Sequence, residues 1–324
     1  MKNLPRIHLA HLPTPVEKLP RLAAEIGGPV LLIKRDDLTG LAFGGNKTRK
    51  LEYLVAEAQA NGARTLITTG AVQSNHCRQT AAAAARYGFD CILVLAGDPG
   101  LDQGVSANLL LDQLLGAKII WTNRTERDAA LASAFQEAWN AGKRPYLVPY
   151  GGSSPVGAVA YTFALKELLD QGVYPDTIVF ATSSGGTQAG LTLGKALFGY
   201  SGRILGISVD EPAEGLKLRV ADLANQIAEL LDERIQIDPD EVLVNDNYLG
   251  AGYGVPSTEE IDAVRLFART EGILLDPVYT GRAAAGMLDL VHKGAFASGE
   301  QVLFWHTGGN PALFAGRYQA ILTA

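Results

Sequence analysis

A lysine preceded by two glycines and an asparagine, Gly44-Gly45-Asn46-Lys47, opens a segment with the apolar spacing of a helix. With Asn46 as N-cap, Lys47 falls in the first turn, at the positive end of the helix dipole. A cation is disfavoured there, so the amine is held closer to the neutral form that attacks a carbonyl. For a lone lysine a solvated surface position is the plainer reading, and Arg49 and Lys50 suit that reading better. A second cluster, Thr182-Ser183-Ser184-Gly185-Gly186-Thr187, follows a β-rich run and opens another helical stretch. Main-chain N–H groups at a helix start, flexible glycines and several hydroxyls make a cradle for a phosphate. A plain strand-to-helix turn explains a glycine pair equally well, but the hydroxyls favour phosphate. The chain has no Gly-x-x-x-x-Gly-Lys-Ser/Thr, and Gly-x-Gly-x-x-Gly is absent from this segment, which argues against an ordinary nucleotide or dinucleotide loop.

Three further segments carry polar groups. Gln73-Ser74-Asn75-His76 sits at a helix start, where Ser74 or Asn75 as a simple cap is the plainer role. Asp276-Pro277-Val278-Tyr279-Thr280-Gly281 and His306-Thr307-Gly308-Gly309 read as the ends of late strands with hydroxyls and an aromatic, and either could equally be a turn.

The elements that must position these groups alternate. Strands are expected at Val30 to Lys34, Thr65 to Thr69, Cys91 to Leu95, Lys118 to Trp121, Tyr146 to Val148, Thr177 to Ala181, Ile204 to Val209 and Val302 to Trp305. Most are continuously apolar, as parallel strands covered on both faces are, which predicts an open α/β sheet. Helices are expected between them at Lys47 to Ala60, Asn75 to Tyr87, Thr125 to Ala141, Pro155 to Leu169, Thr187 to Phe198 and Ser257 to Glu271, several closed by Gly62, Gly88, Gly142, Gly172 and Gly272. Glycines cluster at 44–45, 151–152, 185–186 and 308–309, where α/β proteins bring ligands against the backbone.

Composition sets the frame. The 324 residues are 47% hydrophobic and 19% charged, enough to bury a core, and the length suits two domains. Lys and Arg number 28 against 34 Asp and Glu, scattered singly, so nucleic acid and anionic membranes are poor partners and a small molecule is the expected one. Cys77 and Cys91 are too few for a disulfide framework and point to a reducing compartment. Pro5, Pro13 and Pro15 interrupt the N-terminus, and no apolar run spans a bilayer, so a cytoplasmic location is expected.

Taken in order, the markers Pro13-Thr14-Pro15, Lys34-Arg35-Asp36-Asp37, Gly44 to Glu52, Gln73-Ser74-Asn75, Gly185 to Gly190, Gly252-Tyr253-Gly254, Asp276 to Tyr279 and His306 to Gly309 resemble those of the fold-type II pyridoxal-phosphate enzymes. Within them the chain is similar to the D-cysteine desulfhydrase and 1-aminocyclopropane-1-carboxylate deaminase branch, over nearly its whole length. The resemblance implies two open, mainly parallel α/β domains of the tryptophan synthase β-like kind with pyridoxal 5'-phosphate between them. Residues 50–157 would form the smaller domain, and 1–49 with 158–324 the larger. It implies that Lys47 binds the cofactor covalently, that Asn75 bonds its ring 3-oxygen, and that Ser183, Ser184, Gly185, Gly186 and Thr187 hold its phosphate. Asn46, Thr280 and Thr307 join the cofactor set. Ser74, Asn75, His76, Tyr253 and Tyr279 face the substrate, with Lys47, Ser74, Tyr253 and Tyr279 as the catalytic group, no metal, and a homodimer as the assembly.

Two positions divide the branch. The deaminases carry glutamate after the second tyrosine and leucine after the histidine, and this chain has Thr280 and Thr307. A carboxylate beside the ring nitrogen would favour its protonation and strengthen the electron sink, which opening a cyclopropane needs more than β-elimination of a thiol does. The pair therefore resembles the desulfhydrase side, and the expected reaction is D-cysteine to pyruvate, ammonia and hydrogen sulfide. The deaminase reaction and an L-cysteate sulfo-lyase are the alternatives within the enzyme class, and a non-catalytic pyridoxal-phosphate-binding protein is the alternative outside it.

Overall fold

The computed structural model describes residues 2–97 and 104–323. Two sheets organise the chain. The larger has six strands in the order β1 (Val16–Lys18), β2 (Val30–Arg35), β10 (Gln301–His306), β7 (Thr177–Thr182), β8 (Arg203–Ser208) and β9 (Leu243–Asn245). β1 is antiparallel to β2 and every other pairing is parallel. The smaller is all parallel, in the order β5 (Lys118–Thr122), β4 (Asp90–Ala96), β3 (Thr65–Ala71) and β6 (Pro145–Leu147). All eight expected strands are present. β1 and β9, three residues each, were not anticipated, because a run so short has no periodicity to read.

The continuous apolar runs have the expected cause: both faces of each sheet are covered. On the large sheet, Leu31, Ile33, Val179, Val302 and Phe304 pack under α1 (Pro20–Ile26), α9 (Thr258–Glu271) and α10 (Thr280–His292). The alternate residues Leu32, Ile178, Phe180, Leu303 and Trp305 face α6 (Pro155–Asp170) and α7 (Gly186–Phe198), and α8 (Ala213–Leu230) packs beyond them. On the small sheet, Leu66, Leu93 and Leu95 pack against α2 (Asn46–Ala60) and α3 (Asn75–Tyr87), while Ile67, Ile92 and Val94 face α5 (Arg127–Asn140). α4 (Ala107–Leu114) and α11 (Gly316–Thr323) complete the set. The six expected helices are present to within two residues at each end. Gly88 and Gly272 close α3 and α9 in left-handed conformation.

Three local expectations are corrected. Asn46 is the first residue of α2 rather than its cap, and Gly45 occupies the cap with no side-chain bond. No strand precedes Asp276, so the Asp276 to Gly281 segment is the turn that opens α10. Arg49 and Lys50, read as solvated, are 3% and 1% exposed.

Arg49 shows why a charge can go inside. Its guanidinium meets Asp36 at 2.7 Å and Glu167 at 2.9 Å, and Lys34 Nζ reaches Glu167 at 2.7 Å. Asp36 is fully buried and accepts further bonds from Thr14 Oγ1, Tyr161 Oη and Trp305 Nε1. Burial alone would raise the Asp36 pKa, but Arg49 and Lys34 outweigh it and hold the carboxyl below its ordinary range. The network fastens α2 to the N-terminal loop, to α6 and to both β2 and β10. Among the described residues no helix is long and apolar enough to cross a membrane, and no group of three or more His, Cys, Asp or Glu could hold a metal ion.

Removing one member of such a network leaves a buried charge without its partner. Arg49→Met should therefore cost about 3–5 kcal/mol in urea unfolding. Lys166→Ala, which removes an exposed pair with Asp170, should cost roughly 0.5 kcal/mol or less. Similar losses for the two variants would mean that the buried network contributes no more than a surface pair.

Candidate active site

The carboxyl ends of β3, β7 and β10 and the starts of α2, α3, α7 and α10 converge on one cavity. Asn46, Lys47, Ser74, Asn75, His76, Ser183, Ser184, Gly185, Thr187, Tyr253, Tyr279 and Thr307 all line it, although they come from six separate stretches of the chain. Gly186 and Thr280 do not line it. Thr182, Gly151 and Gly308, from segments noted for their hydroxyls and glycines, line it too, and Ala71, Tyr150 and Ala181 line it without having been singled out.

Two glycine loops make room for Lys47. Gly45 has φ 122° and Gly308 φ 91°, and a Cβ on Gly308 would lie 2.6 Å from the Gly45 Cα. The loops touch backbone to backbone, and Asn46 N donates to Thr307 O at 2.9 Å. Lys47 Nζ lies 5.9 Å from the centre of the Tyr279 ring. Burial lowers its pKa to about 8, with Asp276 pulling it up and Arg78 pushing it down. Desolvation is thus the leading cause of its lowered pKa, where the sequence pointed to the helix dipole.

The loop before α7 has the form of an anion cradle. Gly185 takes the left-handed φ of 83°, and no side chain caps the helix. The Asn46 amide donates to Thr187 Oγ1 at 3.1 Å, and Ser153 and Ser184 share a hydroxyl contact of 2.8 Å. Behind the loop stands Lys50, whose Nζ would lie 2.9 Å from a Cβ at Gly186. It reaches only Gly151 O and Ser153 Oγ, and among the described residues it has no carboxylate partner. Burial, then Lys47, drives its pKa well below the ordinary lysine value. A phosphate fits here, because it would be met by main-chain donors, hydroxyls and a buried cation with no other counter-charge. The sequence signal for Lys50 was its place one helical turn after Asn46, on the same face of α2.

At the start of α3, Ser74 caps the helix, its Oγ accepting from Cys77 N, and its hydroxyl also lies within reach of the Cys77 thiol. Asn75 is oriented by donors: its Oδ1 accepts from Arg78 Nη1 at 2.9 Å and from Asn108 Nδ2 at 3.1 Å, so its own NH2 is left to donate. Both partners escaped the sequence reading. Asn108, on α4, is fully buried and tied to Gln73 through two bonds. Thr68 Oγ1 donates to Val148 O, so it accepts from His76 Nε2, and His76 Nδ1 is left without a partner. Burial first, then Lys47 and Lys50, lowers the His76 pKa and keeps the ring neutral.

Tyr253 and Tyr279 meet hydroxyl to hydroxyl at 2.7 Å, with ring centres 5.8 Å apart and edge-on. Burial raises both pKa values, so the pair is a neutral donor and acceptor. Asp276 builds the turn under Tyr279: its carboxylate accepts from the N–H groups of Val278, Tyr279 and Thr280. The Thr280 hydroxyl donates to Asp276 Oδ1 and accepts from Asp276 N, both at 2.7 Å. Arg282, buried on α10, pairs with Glu260 at 2.7 Å and donates to the carbonyls of Gly252 and Val255, fixing the loop that carries Tyr253 to the helix that follows Tyr279.

The profile of the family described as "Pyridoxal-phosphate dependent enzyme" matches residues 7–308. A crystal structure described as that of an ACC deaminase homologue shares 40% identity, covers 99% of this chain and 96% of its own, and superposes with a TM-score of 0.90. Structures of a pyridoxal 5'-phosphate-dependent aspartate racemase and of an O-ureido-L-serine synthase variant are 18% identical and share the fold. Their TM-scores are 0.65 and 0.66; they cover 92% and 94% of this chain and 90% of their own. A lysine with a lowered pKa, facing an anion cradle backed by an unpaired buried cation, is what such a cofactor requires. The chain belongs to the pyridoxal-phosphate dependent enzymes of fold type II, and its cofactor is pyridoxal 5'-phosphate.

Proposed function

We propose that the protein is a β-eliminating lyase acting on a small amino acid, with D-cysteine as substrate and pyruvate, ammonia and hydrogen sulfide as products. The observation that carries this reading is the residue after Tyr279. Thr280 is neutral, and its proton is committed to Asp276. Pyridoxal phosphate, when bound, supplies the electron sink that makes the substrate α-proton removable. Where the family resemblance puts its ring nitrogen, Thr280 offers no carboxylate to strengthen that sink. A weak sink suffices when a good leaving group such as a thiolate departs, and serves ring opening poorly. The 40% identity to an ACC deaminase homologue makes ring opening the second reading.

The chain's own groups divide the work. Lys47 Nζ binds the cofactor and then takes the substrate α-proton. The Ser74 hydroxyl and the start of α3 receive the substrate carboxylate. The Tyr253 and Tyr279 hydroxyls share one proton position at 2.7 Å and donate toward the departing sulfur. Asn75 donates to the ring oxygen, Lys50 and residues 183–187 hold the phosphate, and Thr307 shapes the space by the leaving group. We also propose residues 50–157 as a smaller domain, supported by the four-stranded sheet lying within residues 65–147. Free, buried Cys77 and Cys91 support a cytoplasmic setting. A homodimer is the assembly proposed, and light scattering reads it directly.

The holoenzyme should show a visible absorption band that is lost in Lys47→Ala, and borohydride should fix the cofactor to Lys47. Label on another lysine would overturn the assignment. With its pKa at about 8, Lys47 is mostly protonated below that pH and cannot attack the cofactor aldehyde. Cofactor uptake by the apoprotein should accelerate about tenfold per pH unit up to roughly 8 and level off above it; stopped-flow absorbance across pH 6 to 10 checks this.

The test of substrate is keto-acid release from D- and L-cysteine, β-chloro-D-alanine, D-serine, L-cysteate and 1-aminocyclopropane-1-carboxylate. D-Cysteine should be turned over well and the cyclopropane poorly. Thr280→Glu with Thr307→Leu should raise ring opening and depress elimination, while neither change alone suffices, since one acts on electronics and the other on fit. Efficient ring opening by the unmodified protein would overturn the reading.

A further inference from the structure

The Lys47 cavity opens into an outer one of about 710 Å3, with which it shares Ala71, Tyr150, Ser183, Ser184 and Tyr253. This is far more space than cysteine needs, and it lies within the range that takes a larger ligand. Its walls carry opposite charges. Arg127 opens α5 and Arg124 lies in the turn before it, Asp210 and Glu211 lie in the loop after β8, and Arg219 is on α8.

Most of these charges are already matched. Arg219 pairs with Glu211 at 3.3 Å, and Arg127 pairs with Asp128 and lies 5.0 Å over the Tyr150 ring. Two groups are matched less completely. Arg124 is exposed and makes no hydrogen bond or ion pair among the described residues, and Asp210, which Ser183 bonds and Arg219 and Arg282 attract, keeps one buried oxygen, Oδ1, without a hydrogen-bond partner. The Tyr150 hydroxyl, on the shared wall, feels both: after burial, Asp210 pushes its pKa up while Arg127 and Arg124 push it down. A carboxyl group with bonding capacity left and a cation with no carboxylate partner thus line a common space at the mouth of the reaction site. A simple anionic ligand would be repelled by Asp210, and a simple cation would be repelled by Arg124. A zwitterion satisfies both.

We propose that this outer cavity binds a second amino-acid group carried on the substrate's β-substituent, and that the favoured substrates are thioether-linked bis(amino acids) of the lanthionine type. The distal carboxylate meets Arg124 and the distal ammonium meets Asp210. The proposal rests on the elimination reading above and extends its substrate class. The chemistry needs no oxidant or reductant. The α-proton passes to Lys47 Nζ, the Cβ–S bond breaks, and the sulfur leaves with the bonding pair and takes up a proton as cysteine. With one water the remaining three carbons yield pyruvate and ammonia.

The holoenzyme would be given D,D-, L,L- and meso-lanthionine alongside the corresponding S-propylcysteines, which fill the outer cavity without its charges. The kcat/KM for the best lanthionine should exceed that for its S-propyl counterpart by about tenfold or more, the scale of one charge-assisted hydrogen bond. Arg124→Ala, at an exposed position, and Asp210→Asn should each bring that ratio toward one, and losses common to all substrates cancel in it. A ratio near one in the unmodified protein, or a ratio that neither variant moves, would overturn the proposal. If no cysteine derivative is turned over, the elimination reading fails on its own. Equilibrium dialysis of labelled lanthionine against S-propylcysteine then decides for the cavity: preferential binding lost in Arg124→Ala supports it, and equal binding refutes it.

Discussion

Everything in this molecule that bears on chemistry depends on where α2 is held, and the buried Arg49, Asp36 and Glu167 network holds it. Lys47 is two residues from Arg49, so the helix turns one cation to the cavity and the other to the interior. Arg49 spans carboxylates from the loop after β2 and from α6, and Asp36 accepts in addition from Tyr161 and from Trp305 on β10. A charge inside a protein costs least when it is paired and its hydrogen bonds are satisfied, so the network favours one arrangement of these elements. On the next turn Glu52 repeats the device, receiving Arg6 and the N–H groups of Leu9 and Ala10 and so closing the N-terminal segment over α2.

With α2 fixed, the site assembles from contacts of the loops around it. The Gly45 and Gly308 backbones approach too closely for any side chain, which binds the start of α2 to the end of β10. Arg78 extends the set from α3, donating to Gly44 O and to the side-chain oxygens of Asn75 and Asn108. Arg282 does the same for the two tyrosines from α10. These two buried arginines touch no reacting group; each fixes the loops whose side chains do.

The sequence was most legible where the physics is local. Parallel strands covered on both faces leave continuous apolar runs, and all eight were readable from them. Helix ends were readable because Gly88 and Gly272 need a left-handed backbone. The site segments were readable because glycines and hydroxyls concentrate at helix starts. What was not legible depends on partners distant in the chain. Nothing local to Arg49 announces Glu167, and nothing local to Asn75 announces Asn108. Lys50 was misread for the same reason, since a lysine next to Arg49 and three residues after Lys47 has the look of a solvated face until the fold turns it inward. α8 is a different case: Leu216, Val220, Leu223, Ala224 and Ile227 have helical spacing, and the helix was passed over although its pattern was present.

The placement of charge explains why cofactor and protein suit each other. Lys47, Lys50 and Arg78 are gathered about one cavity, and both lysines feel a neighbouring cation: Lys47 lowers the pKa of Lys50, and Arg78 lowers that of Lys47. The carboxylates on hand offset them little. Asp276 is occupied by the turn it builds, and Asp112, behind Arg78, is raised to about 8 by burial despite the pull of Arg78, with both oxygens unpartnered. The protein alone therefore keeps three cations in a confined space with too little negative charge. Pyridoxal phosphate brings an anionic phosphate, which Lys50 and the α7 loop can meet, and a ring oxygen, which the Asn75 amide can meet. Burial, ahead of the neighbouring charges, favours a neutral Lys47, so the same enclosure that leaves these cations calling for an anion also prepares the amine that binds the cofactor.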